Sequence, residues 1–179
     1  MRLAGLLGLL LLCGALHAAV ALKLDLDSLT DNAVLVVRGK LESKDARWDA
    51  DRTGIWTHHT VKVAETLKGD HADSREFITR GGVVGDVGQH VAGSGTFTVG
   101  SEYVFFLWKD DSDRYQLVGM VQGAFAVTEE NGETRVSNSF SGLTLVKDAQ
   151  LAPEADRTPL RFTLADLKAK VAARAEAGK

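Results

Sequence analysis

The sequence predicts a mainly β protein: a small closed antiparallel barrel followed by a C-terminal α-helix. Three observations lead there. Short runs of β-branched, aromatic and Leu side chains recur from Ala33 to Val136, separated by clusters of Gly, Asp and Asn. The densest run, Tyr103-Val104-Phe105-Phe106-Leu107-Trp108, has no polar alternation; it is too short for a buried helix and suits a strand buried on both faces. Near the C-terminus, Leu164, Leu167 and Val171 fall on one helical stripe.

The chain has 179 residues, and its first part reads as a leader. Arg2 supplies a positive start, Leu3 to Leu16 an apolar stretch, and Ala19-Val20-Ala21 the small residues a signal peptidase prefers, so cleavage is expected after Ala21. The apolar stretch is too short for a stable transmembrane anchor. Cys13 is the sole cysteine, and Leu12 stands before it where a lipoprotein motif wants a small residue, so it is expected to leave with the leader. The expected organisation is a signal peptide over 1–21, a barrel domain over 22–150, and a linker and helix over 151–179. A cysteine-free mature chain must hold itself together by packing in the periplasm or outside the cell. Loss of Arg2 takes the formal charge from −3 to −4, which argues against nucleic acid and against an anionic lipid surface.

Asp27 or Ser28 caps a short helical turn that docks through Leu26, Leu29 and Ala33. Ala33 to Leu41 is the first strand, with Gly39 permitting a bulge or sharp bend. Glu42 to Gly54 reads as a charged loop or a ragged hairpin end. Ile55 to Lys68 is the second strand; Thr57, His59, Val61 and Val63 share one face, His58, Thr60, Lys62 and Ala64 the other. Glu76 to Arg80 is the third. Residues 81–95 form a loop with six glycines, pinned by Val83, Val84, Val87 and Val91 and with room for one short strand.

Asp110-Asp111-Ser112-Asp113 turns the chain after Trp108, and Tyr115 to Val118 returns. Gly119 marks a bulge, and Met120 to Val127 continues as strand. Asn131-Gly132 suits a type I′ hairpin turn. Ser137 to Pro159 is polar, holds both prolines and reads as a surface excursion. Thr163 caps the last helix, with Asp166 three residues on, and Ala173 to Lys179 frays.

Three stretches carry a resemblance: Val34 to Leu41, Thr60 to Gly69, and Phe97 to Leu107. In kind and order they resemble the strands of tissue-inhibitor-of-metalloproteinase and netrin-like modules. The chain is also similar to secreted bacterial proteins of unassigned function with a Gly-Gly-rich loop like Arg80-Gly81-Gly82-Val83-Val84-Gly85. The resemblance covers roughly 30–127 and implies an oligonucleotide/oligosaccharide-binding (OB) barrel. Those inhibitors chelate a protease zinc through an N-terminal cysteine. The expected mature terminus here is Leu22, so that mechanism transfers to no residue of this chain.

No catalytic constellation stands out. His58 and His59 are neighbours on a strand and point to opposite faces, so they cannot share an ion without a bulge. Asp49-x-Asp51-x-Thr53-Gly54 matches the opening of a calcium loop, but Thr60 stands where the bidentate Glu belongs. Residues 81–95 lack the Gly-Lys-Ser/Thr ending of a phosphate loop, and Ser94 precedes no strand-to-helix elbow. No cofactor and no metal is expected. The best use of the glycine-rich loop is recognition, with Arg80, Asp86, Gln89 and His90 as its polar members. Trp48 and Trp56 flank the 49–54 turn and either present a binding platform or fold inward as a cap; inward capping is favoured because Trp is highly buried on average.

The leading expectation is an exported, non-enzymatic module that binds a protein, with a secreted protease as one candidate. A metal-assisted or carboxylate-based hydrolase using His58, Asp86 and His90 and a structural or assembly component of the cell envelope are the alternatives.

Overall fold

The computed structural model describes residues 18–178. The apolar leader stretch and Cys13 lie outside them. The elements run β1 (Ala19–Leu22), α1 (Leu26–Asn32), β2 (Leu35–Trp48), β3 (Ile55–Lys68), β4 (Ser74–Arg80), β5 (Gly82–Val84), β6 (Val87–Gln89), β7 (Glu102–Lys109), β8 (Tyr115–Leu117), β9 (Ala124–Glu130), β10 (Glu133–Ser137), β11 (Leu143–Lys147), β12 (Gln150–Leu151), β13 (Arg161–Thr163) and α2 (Leu164–Ala177). The protein is mainly β with a C-terminal helix. No helix among the described residues is long and apolar enough to cross a membrane.

Eight strands form the main sheet in the order β13-β10-β9-β7-β2-β3-β4-β8. β8 also pairs antiparallel with β7, through Leu107↔Leu117 to Lys109↔Tyr115. Its pairing with β4 is parallel and rests on Ile78↔Gln116. The pairings from β7 through β2, β3, β4 and β8 therefore return to β7.

The apolar run from Tyr103 to Leu107 explains this arrangement, because both faces of β7 are buried. On one face Tyr103, Phe105 and Leu107 join Leu35, Val37, Leu41, Val61, Phe77 and Phe97 in an aromatic-rich core. On the other, Val104 and Phe106 join Val36, Phe125, Val136 and the apolar stripes of both helices. Those stripes are Leu26 and Leu29 of α1 and Leu164, Leu167 and Val171 of α2. Each such side chain, fully buried, contributes about 1.5–3 kcal/mol of transfer free energy. Trp108, the last residue of the run, is exposed and donates its indole N–H to the Leu117 carbonyl at 3.2 Å.

Several local expectations hold. Asn131 and Gly132 both have positive φ, as a type I′ turn requires. The Thr163 hydroxyl accepts the Asp166 N–H at 3.0 Å. The β2–β3 register shifts between Arg38 and Gly39, and a Cβ on Gly39 would lie 2.3 Å from the Lys62 carbonyl oxygen, which only glycine avoids.

Five expectations are corrected. β2 does not stop at Leu41 but runs to Trp48, because β3 is long enough to pair the charged residues through to Trp48↔Ile55. The cap of α1 is Asp25, whose carboxylate accepts the Ser28 N–H at 2.8 Å. Met120 is not strand: Gly119 and Met120 both take positive φ and lead into a 3-10 turn over Met120–Gly123. That turn carries the Gln122 side chain into the interior, where it is fully buried. Residues 137–159 are not a simple excursion, since β11 and β12 form a small sheet with β1 and bury Leu145 and Ala152. Finally, α2 continues to Ala177, and Arg174 reaches Asp31 beside α1 through two hydrogen bonds.

Candidate binding cleft

The glycine-rich segment folds as expected into an ordered wall, but with two short strands rather than one. β5 and β6 form a hairpin whose turn holds Gly85 and Asp86. Its base is tied to β3. The Gln89 amide oxygen accepts the Ile55 N–H at 2.6 Å, and the Thr57 hydroxyl donates to the Gly81 carbonyl at 2.7 Å. Its far end is tied to the 3-10 turn, where Val121 N–H donates to the Gly93 carbonyl at 2.9 Å. Gly82 is tightly packed against β2 and β3: with φ of +140°, a Cβ there would lie 2.6 Å from Thr57 Oγ1 and 2.7 Å from Ala46 Cβ.

Between this wall, the ends of β2 to β4 and the segment Ser139–Gly142 lies an open cleft of about 1180 Å³. Lys44, Thr57, His59 and Thr79 line it, with Arg80, Gln89 and His90 along the glycine-rich side. Asp45 is its one lining carboxylate and is bound to Arg47 at 2.6 Å.

His59 is the buried polar group at this site, only 3% exposed. Its ring stacks on Phe77 at 4.7 Å and meets Phe97 edge-on at 5.3 Å. Nε2 shares a hydrogen bond of 2.9 Å with the Thr79 hydroxyl, while Nδ1 is buried without a hydrogen-bond partner. Burial first, and then the neighbouring Lys44 and His58 charges, push its pKa down to about 4, so the ring is neutral near pH 7. His58, on the opposite face of β3, faces Glu76 at 2.9 Å.

The expected site residues divide. Gln89 and His90 share the cleft; Arg80 borders it, but its guanidinium turns to the outer face and lies 4.5 Å over the Trp56 ring. Asp86 is at the exposed hairpin turn and Trp48 is half-buried at the end of β2; neither lines it. Trp56 is buried on the outer face, between the guanidinium groups of Arg80 at 4.5 Å and Arg114 at 5.1 Å, so it is not a platform. Gln89 is committed to the Ile55 amide and acts as a strut. The hydrolase grouping of His58, Asp86 and His90 does not assemble, since only His90 reaches the cleft.

Sequence reasoning missed Lys44, because residues 42–54 read as a loop, and Ser139–Gly142, which are distant in sequence from the rest. His59 was legible on the Thr57 face, but nothing marked it as a cleft residue. Asp49 accepts the Thr53 N–H and hydroxyl at 2.6 and 2.8 Å, which closes the β2–β3 turn locally. Among the described residues no group of three or more His, Cys, Asp or Glu is placed to hold a metal ion. No protein-family model matches the chain, and no curated protein matches it in sequence.

Proposed function

We propose that this chain is an exported binding module that grips a segment of a partner protein in the cleft between the glycine-rich wall and the ends of β2 to β4. The observation that carries the reading is the cleft itself, an open space of about 1180 Å³ walled in part by the β5–β6 hairpin. That is above the usual range of small-molecule pockets, roughly 300–1,000 Å³, and leaves room for a polypeptide segment. Its polar lining is hydroxyls, cations and the His59–Thr79 hydrogen bond, and its one carboxylate, Asp45, is held by Arg47.

The scaffold we propose is a small closed barrel of OB type. Two pairings support it: the return of β8 to β7, and the parallel contact of β4 with β8 that a five-stranded Greek-key barrel uses to complete its circuit. A secreted protease is the partner to try first, on the resemblance to inhibitor modules alone. Recognition would rest on the walls of the cleft, with His90 as its exposed polar side chain.

The test is capture of a partner from periplasmic extract and culture supernatant by the wild-type protein and by the His90→Ala variant. The His90 side chain is exposed and makes no hydrogen bond that holds the wall, so the variant folds. A partner retained by wild type and lost by the variant supports the reading. A partner retained equally by both removes the cleft as its binding face.

A further inference from the structure

The residues expected to mark the end of the leader are built into the fold. Ala19-Val20-Ala21-Leu22 is β1, which runs parallel to β11 in the register Ala19↔Leu143, Val20↔Thr144, Ala21↔Leu145 and Leu22↔Val146. Ala19 N–H donates to the Gly142 carbonyl at 3.0 Å, and Lys23 N–H to the Val146 carbonyl at 2.9 Å. Cleavage after Ala21 therefore removes three of the four residues of β1 and frees the β11 edge from Gly142 to Leu145.

The chain beyond the cut stays fixed. Buried Gln122 donates from Nε2 to the Leu22 carbonyl at 2.9 Å and accepts the Leu24 N–H at 3.0 Å. Both cores lie wholly between Leu24 and Val171, so the cut takes no core residue. The freed edge also adjoins the cleft, because Gly142, the acceptor of the Ala19 N–H, lines it.

We propose that leader removal opens a strand-addition slot on β11, and that the slot takes the C-terminal tail of a partner protein in the place of Ala19–Ala21. β1 itself displays what fits. The occupant lies parallel to β11, with small side chains at its last and third-last positions, where Ala21 and Ala19 are half-buried. The middle position faces solvent, as the 70%-exposed Val20 does, and accepts a large side chain. The occupant must be a chain end, because Leu22 blocks the next place on the strand. Its carboxylate meets the new α-ammonium group of Leu22, which is largely charged below about pH 7.7. The severed leader does not compete well, since cleavage abolishes the high effective concentration that tethering gave it. This rests on the reading of the chain as exported, and deepens it by naming a second contact on the same partner class.

The test begins with the intact mass of the exported protein. A terminus at Leu22 supports the proposal; a terminus at or before Ala19 overturns it, because the slot then stays filled. The protein beginning at Leu22 is next titrated, with NMR detection, against an N-acetylated peptide of residues 17–21 bearing a free carboxylate. The expected result is saturable shifts of the Leu143 to Leu145 amides. The C-terminal amide should bind about three- to fivefold more weakly, the value of one exposed ion pair. The Ala19→Pro peptide, lacking the donor to Gly142, should give no shift. A chain beginning at Ala18 should not bind, since β1 fills the slot.

Absence of shifts on β11, equal binding of the Ala19→Pro peptide, or self-association of the Leu22 form that covers β11 would overturn the proposal. The peptide is read on the Leu143 to Leu145 amides and the cleft by partner capture, so failure here and failure at the cleft are read separately.

Discussion

The two faces of β7 bury similar amounts of chain to different ends. On the helix-covered side, Val104 and Phe106 meet aliphatic residues of α1, α2 and β10, and side-chain caps satisfy the starts of both helices. On the other side, Phe105 and Tyr103 meet a run of aromatic rings that leads through Phe97 and Phe77 to His59 and the cleft. The first core closes the fold; the second ends in a polar group that stability alone does not call for. Burying an imidazole nitrogen without a partner costs on the order of 1–3 kcal/mol. At the cleft end, His59 carries that cost.

The contrast can be broken at four places. Phe105→Ala and Phe106→Ala should each lower the unfolding free energy by about 3–5 kcal/mol in urea melts, because both side chains are fully buried in well-packed clusters. A loss under about 1 kcal/mol on either side would show that one face is not a true core.

The second effect belongs to the cleft side alone. His59 has a pKa pushed down to about 4 in the folded protein, against about 6.5 in the unfolded chain. Above about pH 6.5 both states are neutral. As pH falls from about 6.5 towards 4 the unfolded chain takes up a proton that the folded protein refuses, so stability falls, by about 3 kcal/mol over the whole window. Urea melts at pH 7 and pH 4.5 should show the drop, and His59→Gln should lose most of this part of it. An unchanged pH dependence in the variant would mean that the buried ring is not its source.

Third, Thr163→Ala on the helix side removes the α2 cap and should cost about 1 kcal/mol, with the pH profile unmoved. The smallest structural effect should come from His90→Ala. The residue is exposed, and the melting temperature should stay that of wild type while partner capture is lost.

Legibility in the sequence divides in the same way. The helix side is written locally: Leu164, Leu167 and Val171 announce their stripe, and Thr163 with Asp166 announces its start. β3 and β7 were readable because alternation and unbroken burial leave different patterns in a few residues. The unread parts are set by long-range pairing. Glu42 to Trp48 carry charges that look like a loop, and only β3 across the sheet makes them strand. Gln122 gives no hint that it turns inward to hold Leu22 and Leu24, about a hundred positions away. The glycine-rich wall was legible from its composition, but its opposite side, Ser139–Gly142, was not, since polar residues after a hairpin read as surface. Trp56 shows the limit of composition: it is buried, yet on the outer face between two guanidinium groups.

The cleft end, and not the helix end, is the face proposed to meet a partner. Site-specific photo-crosslinking in the source cells tests this most directly, with the probe in place of His90 in the full chain and, separately, in place of exposed Lys170 on α2. The expected result is a discrete higher-mass adduct from position 90 and none from position 170. Adducts from position 170 alone, or equally from both, would contradict it.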